Sequence, residues 1–283
     1  MNLREEYLLE IEKYLENLYQ NDLPQKHLFD AMRYSLLAGG KRIRPILLLE
    51  FCRVCGGDWK KALPAAVSLE MIHTYSLIHD DLPCMDDDDL RRGKATNHKV
   101  FGYATALLAG DGLLTDAFRV LAESGLPNLP QSVALLSELA GPYGMAGGQE
   151  LDLAAETKTL SAEEITLIHD LKTRALISAA CELGVLAADG NEAQRLAAKT
   201  YAKGIGLAFQ LRDDILDVIG TEESMGKSVR TDEKKNTFVK LYGIEKCQEM
   251  IDRETEEAIR ALSVFPDSRF LEDFANKMRV RNH

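Results

Sequence analysis

Two groups of aspartates stand out in a helix-forming sequence: Asp80-Asp81-Leu-Pro-Cys-Met-Asp86-Asp87-Asp88-Asp89 and Asp213-Asp214-Ile-Leu-Asp217. Carboxylates are hard oxygen donors, so a cation held by them is Mg²⁺ or Ca²⁺ rather than zinc or copper. An EF-hand fits badly, because the run from Asp86 has Arg91 where that loop needs its turn glycine. Mg²⁺ takes a few carboxylates and completes its shell with water and substrate phosphates. Two separated clusters therefore suggest two walls gripping one phosphorylated ligand. A run such as Asp86 to Asp89 is, by itself, ordinarily a solvated surface. Asp213 and Asp217 resist that explanation, because they share one face of an apolar helix. Like charges four residues apart weaken a helix by roughly 0.2–0.5 kcal/mol, which makes sense if a cation sits between them.

Cations lie near both clusters. Gly40-Lys41-Arg42-Ile-Arg44-Pro45 reads as a helix start, where backbone N–H groups also favour anions. Arg91-Arg92-Gly93-Lys94 follows the first cluster, and Lys172-Thr173-Arg174, Gly226-Lys227 and Lys234-Lys235 come later. Any one basic pair is ordinarily surface; their occurrence beside two aspartate clusters points to a phosphate site. Gly40-Lys41 is not a Walker loop, because the earlier glycine and the following Ser or Thr are missing. No nucleophile elbow, zinc-protease helix or dinucleotide fingerprint appears.

The elements that must position these residues are helices. Leu8, Ile11, Leu15 and Leu18 form an apolar stripe, and a second helix runs from about His27 to Ala38, stopping at Gly39-Gly40. Pro45 suits the first turn of a third. Ala- and Leu-rich runs continue at 62–79, 104–122, 132–146, 163–188 and 192–219, with connections near 56–60, 86–97, 124–131, 188–191 and 220–236. The run ending at Asp80 reads as a buried helix that stops at Pro83, pointing Asp80 into a cavity or a solvated mouth. No clean alternating strand is present. The expectation is one all-α domain over residues 1–283. The net charge of −11 argues against nucleic-acid binding but not against a small anionic substrate. No apolar run is long enough to span a membrane, and the acidic N-terminus does not resemble a signal peptide, so a cytoplasmic protein is expected. The five cysteines read as free thiols, Cys52 and Cys55 lacking a second pair for a zinc site.

Together these residues resemble the trans-prenyl diphosphate synthases, and within them the bacterial farnesyl diphosphate synthases. The first motif of that family, D-D-x-x-x-x-D then R-R-G, is matched by Asp80, Asp81, Asp86, Arg91, Arg92 and Gly93. The second is matched by Asp213, Asp214 and Asp217 with Gln210 before it. G-K-R-x-R-P is Gly40 to Pro45, and G-Q-x-x-D is Gly148, Gln149 and Asp152. The likeness runs from about residue 25 to the end. It implies a single large helical bundle around a central substrate cavity, a homodimer, and head-to-tail joining of isopentenyl diphosphate to an allylic diphosphate. It further implies that Asp80, Asp86 and Asp213 bind three Mg²⁺ ions, with Asp81 and Asp217 in support and Asp214 left without a firm role. Arg91, Lys172, Thr173, Lys227 and Lys235 would contact the allylic diphosphate, with Gln210 nearby. Lys41, Arg44, His73 and Arg92 would hold isopentenyl diphosphate. His73 alone would be read as a core histidine. Phe238-Val239 stands where many relatives have Tyr-Pro, Ala95 replaces a common proline and Tyr103 a common acid; none touches a metal-binding aspartate.

Tyr75 and Ser76 stand five and four residues before Asp80, the former about 7.5 Å up the helix axis. Members making fifteen-carbon chains resemble this one in carrying an aromatic there, which implies that Tyr75 floors the tunnel and sets the product at farnesyl diphosphate. The alternative is that Tyr75 packs between helices. Geranylgeranyl diphosphate synthase is the nearest competing reading. A terpene cyclase would want a mixed Asn, Ser and Glu motif in place of Asp213 to Asp217, and an inactive partner subunit would be expected to lose aspartates.

Overall fold

The computed structural model describes residues 2–20, 22–155, 158–219 and 237–280. The expected early helices form: α1 Leu3–Asn17, α2 Lys26–Leu36, α3 Ile43–Val54 and α4 Leu63–Asp80. Asn2 caps α1 by accepting from Glu5 N, while Glu5 reaches back to Asn2 N. Residues past α2 turn through Gly39 and Gly40, both with positive φ, and Pro45 occupies the first turn of α3. α4 is apolar almost all round, and it lies buried among α1, α2, α3, α6 and α10.

The later helices are α5 Asn97–Phe101, α6 Tyr103–Ala122, α7 Leu129–Ala140, α8 Met145–Ala155, α9 Ala162–His169, α10 Ala175–Ala187 and α11 Glu192–Ile219. Three more close the described chain: α12 Phe238–Tyr242, α13 Ile244–Ala261 and α14 Arg269–Arg279. Small residues let backbones approach; a Cβ on Gly184 of α10 would lie 2.4 Å from Leu48 O of α3. The main core runs from α1 through α4, α6 and α10 to α11 and α14, and a smaller cluster joins Ile165, Leu211, Ile215, Phe238 and Ile251.

Three expectations needed refinement. The run at 132–146 is two helices, because Gly141 ends α7 and Pro142 has no N–H to continue it. The run at 163–188 is interrupted by one π-helical turn, Asp170–Arg174. The connection at 86–97 contains a two-residue-per-strand hairpin, β1 Leu90–Arg91 with β2 Lys94–Ala95. Its turn needs positive φ at both central residues, Arg92 (φ 53°) and Gly93 (φ 74°), a local requirement that alternation does not reveal. Cys52 and Cys55 are free, as expected, and burial pushes both thiols up to about 12. No helix among the described residues is long and apolar enough to cross a membrane.

Candidate active site

The C-terminal half of α4 presents His73, Ser76 and Asp80 at helical spacing on one face. Beyond Asp80 the chain folds back, with Asp86 N donating to Asp80 O at 2.9 Å and Met85 N to Leu82 O at 2.8 Å. This loop returns Asp86 to the end of α4. Burial pushes the Asp80 carboxyl up to about 6, opposed by Lys172 and reinforced by Asp86. Asp87 and Asp89 are exposed, the latter paired with Lys99, so this end of the run is the solvated surface expected of it.

Asp81, one residue on, is buried and already has a partner. Arg91 grips it from β1, with Nε 2.7 and 2.9 Å from the two carboxylate oxygens and Nη2 2.6 Å from Oδ1. The hairpin turn that follows carries Arg92, which donates to Gly39 O. A Cβ on Gly40 would lie 2.7 Å from the Arg92 guanidinium, so a side chain there would displace it.

Arg44, in the first turn of α3, meets His73 of α4 at 3.3 Å, and its buried Nε has no hydrogen-bond partner. Burial pushes the Arg44 guanidinium below its ordinary range, and Glu70 only partly offsets this. Burial and then the charges of Arg44, Arg92, Arg91 and Arg42 hold His73 neutral. A half-buried cation group of this kind calls for an anion. Arg42, inside the same motif, does something different. It is buried, its backbone is left-handed, and it bonds Glu70 (2.7 Å), Glu12 (2.7 Å) and Leu36 O (2.6 Å). It fixes the corner from which Lys41 and Arg44 extend.

Lys172 and Thr173 sit on the π-helical turn, and such turns widen a helix by one residue. Lys172 Nζ pairs with Asp152 of α8. Gly148, one helical turn before Asp152, lets the α8 backbone lie against this turn; a Cβ there would be 2.2 Å from Lys172 N. The i, i+4 spacing within G-Q-x-x-D was the available signal that Gly148 and Asp152 address one target, and the sequence reading gave neither a role.

On α11, Asp213 and Asp217 are half-buried and Asp214 is buried. Asp214 accepts from Phe238 N at 2.9 Å and from Gln210 Nε2 at 3.1 Å, so Gln210, expected near substrate, bonds the motif itself. Burial pushes Asp214 up to about 6 despite those donors. The π turn packs on α11, and the charge of Lys172 reaches Asp80, so this turn links the two walls. Lys227 and Lys235 lie outside the described residues.

Tyr75 is buried beside the Asp80 end of α4, its ring edge-on to His79 at 5.7 Å, and Ser76 Oγ donates to His73 O. Burial and then the Asp80 charge push the Tyr75 hydroxyl up to about 12. Among the described residues no three His, Cys, Asp or Glu side chains converge as a ready-made metal cage. The donor set nevertheless fits Mg²⁺. Every carboxylate on the walls is a hard oxygen donor, and Asp80, which burial penalises as an ion, lies near Asp86, an arrangement that a divalent cation would stabilise.

Comparison with known proteins agrees with this geometry. The Polyprenyl synthetase family model matches residues 25–265. The chain is 48% identical over 259 residues to a farnesyl diphosphate synthase of Geobacillus stearothermophilus, covering 89% of this chain and 86% of that protein. It is 43% identical to a geranylgeranyl diphosphate synthase of Cyanophora paradoxa, covering 92% and 90%. Among solved structures, an apo FPP/GFPP synthase from Zymomonas mobilis superposes with a TM-score of 0.89 at 38% identity, covering 98% of each chain. The paired aspartate walls, the phosphate-seeking cations and these matches together place the chain in the polyprenyl synthetase family.

Proposed function

We propose that this prenyltransferase joins isopentenyl diphosphate to dimethylallyl diphosphate and then to geranyl diphosphate, giving farnesyl diphosphate and releasing one diphosphate per round. The observation that carries it is the C-terminal half of α4, where Asp80 lies within the electrostatic reach of Lys172 and His73 meets Arg44 at 3.3 Å. That half of one helix thus carries an acidic metal-seeking group and adjoins a basic anion-seeking one, as joining two diphosphates requires.

Asp80, Asp86 and Asp213 would hold three Mg²⁺ ions, with Asp81 and Asp217 in support. When bound, Mg²⁺ stabilises the charge that grows on the departing diphosphate. Lys172, Thr173 and Arg91 would bind that diphosphate, joined by Lys227 and Lys235. Arg44, Lys41, His73 and Arg92 would hold isopentenyl diphosphate, a neutral His73 accepting one Arg44 N–H and so orienting the guanidinium whose other donors face the anion. The allylic C1–O bond breaks and its electron pair leaves with diphosphate. The isopentenyl double bond attacks C1, forming the new C–C bond, and the resulting cation loses a proton to the released diphosphate. No dedicated protein base is required. Apolar side chains beside Asp80, Tyr75 foremost, keep water from the cation and stop growth.

The same reading makes residues 1–283 one catalytic unit acting in the cytoplasm as a homodimer. Leu107 and Leu108 of α6 and Val100 of α5 are exposed apolar side chains that a second copy would cover. A twenty-carbon product is the second reading, because a relative of similar identity carries that name.

The test is incubation of the purified protein with isopentenyl and dimethylallyl diphosphates, with Mg²⁺ or with chelator, followed by product identification. A fifteen-carbon product that needs Mg²⁺ is expected, with longer chains from Tyr75→Ala. A twenty-carbon product from the wild type, or an unchanged spectrum from Tyr75→Ala, overturns the role given to Tyr75. Absence of any condensation overturns the function.

A further inference from the structure

Three aspartates make up the second motif, but only two of them share an environment. Asp213 and Asp217 are half-buried on one face of α11, whereas Asp214, turned about 100° around the helix from Asp213, is 4% exposed. Both of its oxygens already have donors: Phe238 N at 2.9 Å and Gln210 Nε2 at 3.1 Å. The first of these bonds reaches another element. Phe238 opens α12, where Thr237 caps the helix by accepting from Lys240 N. The Phe238 ring is 2% exposed and lies 5.4 Å from the ring of His169, the last residue of α9. His169 is followed directly by the π turn Asp170–Arg174, against which Gly148 packs and to which Asp152 pairs through Lys172. A continuous line of contacts therefore runs from the second aspartate wall to the lysine beside the first.

We infer that Asp214 is a positioning residue: it holds α12 on α11 and, through Phe238 and His169, ties the Asp213–Asp217 wall to the turn that carries Lys172. Asp214 thus acts on the site without binding metal or substrate. The inference rests on the reading of Asp213 and Asp217 as the ion-binding pair. It differs from a simple motif reading, in which all three aspartates serve the cation. The geometry gives it a distinct chemical signature. A metal ligand needs the carboxylate charge. A clamp needs only an acceptor for Phe238 N–H and a partner for Gln210, and asparagine can supply both once the Gln210 amide rotates.

The experiment compares wild type with Asp214→Asn, Asp214→Ala, Phe238→Ala and Asp213→Asn. The readouts are the melting temperature without ligand and its rise on adding Mg²⁺ with inorganic diphosphate, which reports binding without turnover. Asp214→Ala and Phe238→Ala should each melt lower than wild type without ligand, Asp214→Ala by roughly 5 °C. Both should raise KM for the allylic diphosphate while leaving KM for isopentenyl diphosphate nearly unchanged, a split that general loosening would not produce. Asp214→Asn should keep the ligand-induced rise, and Asp213→Asn should lose it. Loss of the rise in Asp214→Asn, with its ligand-free melting unchanged, would make Asp214 a metal ligand and overturn the inference. If the wild type gives no condensation but the melting pattern holds, the clamp stands and the proposed function fails.

Discussion

Asp80 and Asp81 are neighbours in sequence, yet Asp80 lies in the field of Lys172 and Asp86 while Asp81 is gripped by Arg91. The pair was legible as a cluster, because four or more carboxylates beside an apolar helix are hard to place otherwise. That Asp80 turns inward was legible from its place in the last turn of α4; that Asp81 would be gripped by Arg91 was not, since successive residues at a helix end diverge by about 100° and only packing fixes what each one meets. The same ambiguity hid the clamp at Asp214 and the structural role of Arg42. A prediction follows from the Asp80 environment. Burial raises its carboxyl from the usual 3.8 to about 6, so the folded state holds this proton more tightly than the unfolded chain does. Ionised Asp80 therefore costs stability above about pH 6, and the cost vanishes below about pH 4. With chelator present, Asp80→Asn should melt higher than wild type at pH 8, by roughly 5 °C, and the gap should close toward pH 4. Saturating Mg²⁺ with diphosphate should reverse the order at pH 8. A gap that does not change with pH would contradict this account of Asp80.

At the scale of elements, long helices were readable because burial imposes a 3.6-residue period over many turns; α4 and α11 fall within a residue or so of their expected spans. Short features with local causes were not. The Arg92-Gly93 hairpin depends on two backbone angles, and the π turn on one extra residue, and neither leaves a periodic trace. The C-terminal α13 and α14 were not among the expected Ala- and Leu-rich runs, because they are rich in charged residues; their signal lay instead in apolar positions at helical spacing, Cys247, Ile251 and Ala258 in one and Leu271 and Ala275 in the other. The contact between α8 and the π turn yields a second test. At Gly148 a Cβ would meet backbone atoms of Leu171 and Lys172, which cannot swing aside as a side chain can. Gly148→Ala should cost about 1–3 kcal/mol of stability and lower kcat at least tenfold by shifting Lys172. Gly112→Ala is the control. Its Cβ would meet only the flexible Met32 side chain, at 3.2 Å, and both melting and turnover should stay close to wild type. Equal effects from the two substitutions would remove any special role for the α8 contact.

Across the whole molecule, a net charge of −11 coexists with a basic group of Arg42, Arg44, Arg91 and Arg92 around His73. The coexistence was expected from the sequence, because a local cluster of cations can reverse the sign of the charge inside a cleft; that four arginines surround one histidine was not. The buried Arg42 also joins parts of the chain that family comparison treats unequally. Its partner Glu12 belongs to α1, ahead of the matched span 25–265, and Arg53 of α3 reaches Asp267 beyond the other end of that span. Tyr7 of α1 completes the clasp by donating to Glu50 at 2.7 Å. A protein shortened to begin at residue 25 loses the buried Tyr7, Ile11 and Leu15 as well as Glu12, so it should melt well below the full chain. Its KM for isopentenyl diphosphate should rise, because Arg42, left with Glu70 and Leu36 O, no longer holds the corner beside Arg44 as firmly. Steady-state kinetics on the shortened and full chains decide this, and equal KM values would refute it. The stretch that the family model outlines thus stops short, at both ends, of contacts that brace Arg42 and Arg53 at the two ends of α3. An engineer who trims to the recognisable outline would saw through a strut of the binding site without cutting a single residue that touches substrate.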